Sequence, residues 1–127
     1  MHGHCHQKAL VGMEPTRHVL SKVEGLDFTI LDSGCCGMAG SFGYEQGQYE
    51  VSQACGERVL FPAGRGTSTE DLIVAPGLNC RHQIADFCDN RRSLHTAELL
   101  AMARPSWPES LGGLAHKSNW FSFALDL

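Results

Sequence analysis

The sequence predicts a small α/β domain: a mainly parallel sheet flanked by helices, with its cysteine motifs at the carboxyl ends of the strands. Three observations point there. Short apolar runs bounded by glycine or proline alternate with segments of helical spacing. A length of 127 residues suits one domain with one modest core. A cysteine or a cysteine pair also stands three times at the same topological place, past an expected strand and ahead of a helical pattern: Cys5, Cys35 with Cys36, and Cys80. Open parallel sheets build their sites at that end.

Taken in order, His2, His4 and His6 alternate around Cys5, and Gln7-Lys8-Ala9-Leu10 runs on into a short helix. Cys5 then lies at a strand-to-helix junction, where a helix N-terminus favours thiolate. The three histidines read as structural residues rather than ligands. A strand is expected ahead of His2 and almost nothing precedes it, so the chain reads as a piece cut from something longer. Residues 15–23 pattern as a second helix, with Gly25 as its terminator. Leu26-Asp27-Phe28-Thr29-Ile30-Leu31 alternates and is rich in β-branched and aromatic residues, which reads as a strand.

Residues 44–60 carry Tyr44, Val51, Cys55 and Val59 near helical spacing, so Cys55 is expected to be a buried small hydrophobe. Phe61-Pro62 is expected to end that helix, with a surface loop over 64–69. Asp71-Leu72-Ile73-Val74-Ala75 reads as a buried parallel strand leading to Cys80. Cys88 stands about 12 Å along a continuous helix from Cys80, too far to share a centre, and is assigned to the core. Residues 94–102 form a last helix, with His95 as a cap. The domain is placed at 1–104. The tail, 105–127, is unassigned, and its apolar end at 120–125 is expected to cover a sheet edge or an intersubunit contact.

Composition narrows the function. Net charge is −4 with ten Lys plus Arg, and Arg81-His82 and Arg91-Arg92 are too short to track a phosphate backbone, so no nucleic acid is expected. No apolar run is long enough for a membrane span, and the first residues lack the apolar core of a secretory signal. The expected location is cytoplasmic, at most peripheral to the inner face of the membrane through partners. Six cysteines without an export signal favour metal or redox chemistry over disulfides.

The densest motif is Asp32-Ser33-Gly34-Cys35-Cys36-Gly37-Met38-Ala39-Gly40-Ser41-Phe42-Gly43-Tyr44-Glu45. Adjacent cysteines seldom bridge each other, because neighbouring Cα atoms stand about 3.8 Å apart and a disulfide favours about 5.5 Å. They are well placed to offer two soft sulfurs to one centre of zinc, copper(I) or iron–sulfur type. Gly34, Gly37, Gly40 and Gly43 have the spacing G-x-x-G-x-x-G, not that of a dinucleotide loop, and no Lys-Ser/Thr follows. A nucleophilic Cys35 or Cys36 with His4 or His82 as base lacks an orienting third group in the sequence.

His4-Cys5-His6-Gln7-Lys8-Ala9, the glycine-rich motif above, and Cys80-Arg81-His82-Gln83-Ile84 together resemble the cysteine-rich CCG domain. That domain ends FAD-linked oxidases with fused iron–sulfur domains. It also occurs in iron–sulfur subunits of glycolate oxidase, lactate utilisation proteins, anaerobic glycerol-3-phosphate dehydrogenase and heterodisulfide reductase. The resemblance, nearest to the FAD-linked branch that oxidises 2-hydroxy acids, implies an electron-transfer domain that is not catalytic in isolation. It implies a 4Fe–4S cluster on Cys5, Cys35, Cys36 and Cys80, FAD in an upstream or partner domain, and an acceptor such as a quinone pathway. The implied substrates are of glycolate, lactate or 2-hydroxyglutarate type. Many members carry a C-x-x-C pair where this chain has Gly77 three residues before Cys80. Four thiolates also match tetrahedral zinc, so a zinc-binding structural or interaction module is the alternative.

Overall fold

The computed structural model describes residues 1–104, and the expected apolar cover at 120–125 lies outside the described residues. At the centre, β1 (Ile73–Val74) and β2 (Ser93–Leu94) pair in parallel, Ile73 with Ser93 and Val74 with Leu94. The sheet continues on the other side of β1 through single contacts. His2 N–H donates to Val74 O at 2.8 Å, and His2 forms a parallel bridge with Leu31. The extended pieces therefore run in the order Leu31, His2, β1, β2. Val74 and Leu94 are buried, as parallel sheets covered on both faces require. This is the small α/β architecture expected, with a parallel sheet flanked by helices.

The strand expected over 26–31 shrinks to its last residue. Its neighbour is the piece carrying His2, which turns into α1 (Cys5–Leu10) almost at once, so only one residue pair finds ladder partners. Conversely, β2 escaped the sequence reading because it is two residues long and flanked by Arg92 and His95. Asp89 and Asn90, at φ 54° and 55°, make the left-handed turn that brings the chain back to it. Short polar side chains tolerate that region best among non-glycines. Arg91 then ties the loop ahead of β1 by donating to the carbonyls of Thr67, Ser68 and Asp71 at 2.9–3.1 Å.

Helix α2 (Glu14–Leu20) has Pro15 in its first turn, where a missing N–H costs nothing. The single helix expected over 44–60 is instead a 3₁₀ turn (Phe42–Tyr44) and α3 (Tyr49–Glu57), followed by α4 (Leu60–Gly66) after a break at Val59. Phe61-Pro62 thus begins a helix rather than ending one, because proline is tolerated in a first turn. The buried face of α3 is also not the apolar one. Ser52 and Gly56 are buried, while Tyr44 and Val51 are 70% and 48% exposed and Cys55 is only partly buried. Small residues win because the neighbours come so close: a Cβ on Gly56 would lie 2.1 Å from the Phe61 ring.

α5 (Leu78–Phe87) and α6 (Thr96–Met102) follow β1 and β2. Phe61, Ile84 and Cys88 are fully buried in one core cluster with Cys36 and Cys80. Phe61 stacks on Phe87 at 4.8 Å, and Cys88 sits in the core as expected. His95 caps α6, its Nδ1 accepting from Ala97 N–H at 3.0 Å while Glu98 accepts from His95 N–H at 2.6 Å. No helix among the described residues is long and apolar enough to cross a membrane.

Candidate metal centre

Three neighbouring sheet pieces end at the same side, and each hands over sulfur. The piece with His2 leads to Cys5, the first residue of α1. Leu31 leads into the loop of Cys35 and Cys36. β1 leads to Cys80 in the first turn of α5, whose N-cap is the extended Gly77.

The Cys-Cys loop is held from two sides. From α1, the Lys8 ammonium donates to the carbonyls of Ser33 and Gly34. From α5, Gln83 Nε2, 1% exposed, donates to Cys36 O at 3.2 Å and Ser52 Oγ at 2.8 Å. Asn79 Nδ2 donates to Gly40 O at 3.0 Å. Asn79, Cys80 and Gln83 share one face of α5, so the helix that supplies a thiol also fixes the loop opposite it. Gly37 is required at the turn: its φ is +90°, and a Cβ there would lie 2.0 Å from Ser52 O.

The sulfurs meet. Cys36 and Cys80 are 2% and 1% exposed, and their Sγ atoms lie with a ring nitrogen of His2 in a group whose members are all within 4.8 Å of one another. The Cys80 thiol donates to Cys36 and pulls its pKa down to about 4 against the opposing effect of burial, and nearby His2 adds to the lowering. Cys80, which gives that hydrogen bond from a buried site, is pushed far up. Cys35 is raised by burial, partly offset by Gly37 N–H donating to its sulfur at 3.3 Å, and raised further by the charge of Cys36 and Cys5. Cys5 hydrogen-bonds Cys35, and both add to the negative field at Cys80. Cys5 and Cys35 therefore act electrostatically on the inner pair but lie outside its 4.8 Å group with His2, and none of the four is in a disulfide. A cation between them would relieve the accumulated charge.

The remaining cysteines stand apart, Cys55 on α3 and Cys88 in the core. His4 accepts from His6 N–H at 3.3 Å as the cap of α1, with the other side of its ring against Gly77 beside Cys80, and His82 is exposed on α5. The residue the sequence reading did not single out is His2. It is 2% exposed, its Nδ1 lies 2.6 Å from Ser33 Oγ, and its Nε2 is buried with no partner of good hydrogen-bond geometry, although the ring reaches the Cys36 sulfur closely enough to lower its pKa. Alternation around Cys5 marked the histidines as a group; only burial separates this one from His4 and His6. Gly77 also faces the sulfurs, since a Cβ there would lie 2.8 Å from Cys80 Sγ. A soft donor set with an orphaned buried nitrogen beside it fits a thiolate-bound metal group.

Comparison with known proteins adds a relationship. The chain is 34% identical over 102 residues to one subunit of the anaerobic glycerol-3-phosphate dehydrogenase of Escherichia coli strain K12, covering 80% of this chain and 25% of that protein. The same protein of Escherichia coli O157:H7 matches equally, at 34% over 102 residues. The chain thus spans about a quarter of the length of the curated relatives it matches. No family model matches, and neither does any solved structure.

Proposed function

We propose that this chain is the iron–sulfur electron-transfer domain of a flavin-dependent dehydrogenase, with Cys5, Cys35, Cys36 and Cys80 holding a 4Fe–4S cluster. The observation that carries the reading is that Cys36 and Cys80, from two separate segments, come within 4.8 Å of each other and of His2, with Cys5 and Cys35 near enough to act on them electrostatically. When bound, such a cluster accepts and releases one electron at a time. The protein's own part is to hold the sulfurs still. Lys8, Asn79 and Gln83 fix the loop, and burial of Cys36 and Cys80 keeps water from the inner sulfurs. Gly37 N–H, donating to the Cys35 sulfur, raises the reduction potential by stabilising extra electron density there.

Likeness to a subunit of a dehydrogenase supports partnership with an FAD-containing dehydrogenase domain or subunit and an acceptor such as a quinone pathway. The narrower assignment, a 2-hydroxy acid of glycolate, lactate or 2-hydroxyglutarate type as the substrate of that partner, rests on the motif resemblance alone. The working location is cytoplasmic, held at the inner membrane face through partners.

One observation favours a second reading, a zinc-binding structural module. Donors within 4.8 Å of one another are close to the spacing around a single tetrahedral ion, where thiolates at about 2.3 Å from zinc stand about 3.8 Å apart. Reconstitution with iron and sulfide under anaerobic conditions separates the two. The electron-transfer reading predicts a brown protein with equal iron and inorganic sulfide, bleaching on reduction. One tightly held zinc per chain, with no sulfide taken up, sinks it.

A further inference from the structure

We infer that His2 is a nitrogen ligand of this centre, making it a mixed nitrogen–thiolate site in which Ser33 aims the imidazole. The inference rests on the metal-centre reading above and adds a donor that the cysteine motifs do not announce.

Four observations converge on it. A ring nitrogen of His2 shares the 4.8 Å group with the sulfurs of Cys36 and Cys80, and all three residues are buried. Nδ1 is already engaged by Ser33 Oγ at 2.6 Å, and Ser33 is itself 4% exposed. Nε2 is therefore the nitrogen left for the sulfurs: it is buried with no partner of good hydrogen-bond geometry and faces the Cys36 sulfur. Finally, His2 is anchored in the sheet, its N–H donating to Val74 O and its backbone bridging Leu31, so the ring stands on a rigid element.

The chemistry follows from these placements. Buried ring nitrogens are ordinarily paired, and an unpaired one marks a missing partner such as an ion. Ligating histidines characteristically hold their second nitrogen in a hydrogen bond, which fixes tautomer and ring orientation. Here the proton belongs on Nδ1, toward Ser33, leaving the Nε2 lone pair for the metal. An imidazole ligand is neutral, so His2 adds a donor beside the thiolates without adding negative charge.

The test uses the full chain with ¹⁵N-labelled and unlabelled histidine, loaded separately with Co²⁺ alone and with iron plus sulfide, and read by pulsed electron paramagnetic resonance. The expected result is a strong nitrogen coupling that changes with the label and disappears in His2→Gln while thiolate-to-metal absorption persists. Ser33→Ala should keep the coupling but weaken Co²⁺ binding about tenfold to a hundredfold; unchanged affinity would remove its aiming role. If His2→Gln does not fold, His2→Cys carries the test, with binding kept, nitrogen coupling lost and the iron–sulfur potential lowered. A wild-type centre without nitrogen coupling, or coupling that survives in either His2 variant, overturns the inference. Sulfide uptake without nitrogen coupling sinks His2 ligation alone, whereas nitrogen-coupled Co²⁺ without sulfide uptake sinks the electron-transfer reading alone. Failure to bind either probe sinks both.

Discussion

Cys36 and Cys80 are almost wholly buried, whereas Cys5 and Cys35 remain partly open to solvent. Within the inner pair the hydrogen bond from one thiol pulls the other sulfur's pKa down and pushes its own up. In the outer pair Cys35 is pushed up, first by burial. The difference lies in what holds each backbone. The inner pair is gripped by α5, through Gln83 on the carbonyl of Cys36 and through the helix itself at Cys80. The outer pair begins a six-residue helix and a glycine-rich turn. A centre built this way has a fixed buried floor and a rim open to solvent.

The sharpest way to break the floor is Gly37→Ala. Left-handed backbone and a Cβ 2.0 Å from Ser52 O together should cost about 3 kcal/mol or more in urea unfolding and abolish metal uptake. Gly34→Ala, in the same loop but with nothing within 4 Å of its Cβ, should be nearly silent in the same assay. Next in size is Gln83→Leu, which strands Cys36 O and Ser52 Oγ; denaturant titration should show a loss of about 1–3 kcal/mol.

Smaller is a pH effect in the metal-free chain. Cys36 is lowered in the folded state, so its contribution is present above the ordinary thiol value of about 8.5 and is lost as pH falls toward about 4. Cys80 and Cys35 are raised, so theirs is present below that value and lost as pH rises above it. The denaturation midpoint should climb from pH 4 to about 8.5 and fall beyond it, and Cys36→Ala should flatten the climbing limb. Least of all is Cys55→Ser, on α3 away from both pairs. It should move stability by no more than about 0.5 kcal/mol and leave metal uptake unchanged.

That cysteines stand just past three parallel pieces at one end of the sheet was legible because it follows from topology; that Cys5 and Cys35 lie outside the 4.8 Å group of Cys36, Cys80 and His2 was not. Leu26–Leu31 as a ladder was not, since strand pairing depends on how long the neighbouring piece stays extended, and that neighbour turns at Cys5. The face of α3 was misread because apolar spacing assumes that cores are filled by large side chains. Ser52 and Gly56 are buried for the opposite reason, to let Gly37 and Phe61 approach. His2 could not be singled out among three alternating histidines, because its role comes from Val74, Leu31 and Ser33, each far away in the chain.

The most direct test of the central claim is the iron and inorganic sulfide retained by single-cysteine variants after anaerobic reconstitution. Cys5→Ser, Cys35→Ser, Cys36→Ser and Cys80→Ser should each lose the cluster or hold it weakly, while Cys55→Ser and Cys88→Ala keep it whenever they fold. Full retention in Cys5→Ser or Cys80→Ser, or equal loss across all six variants, would contradict a single centre shared by three segments of the chain.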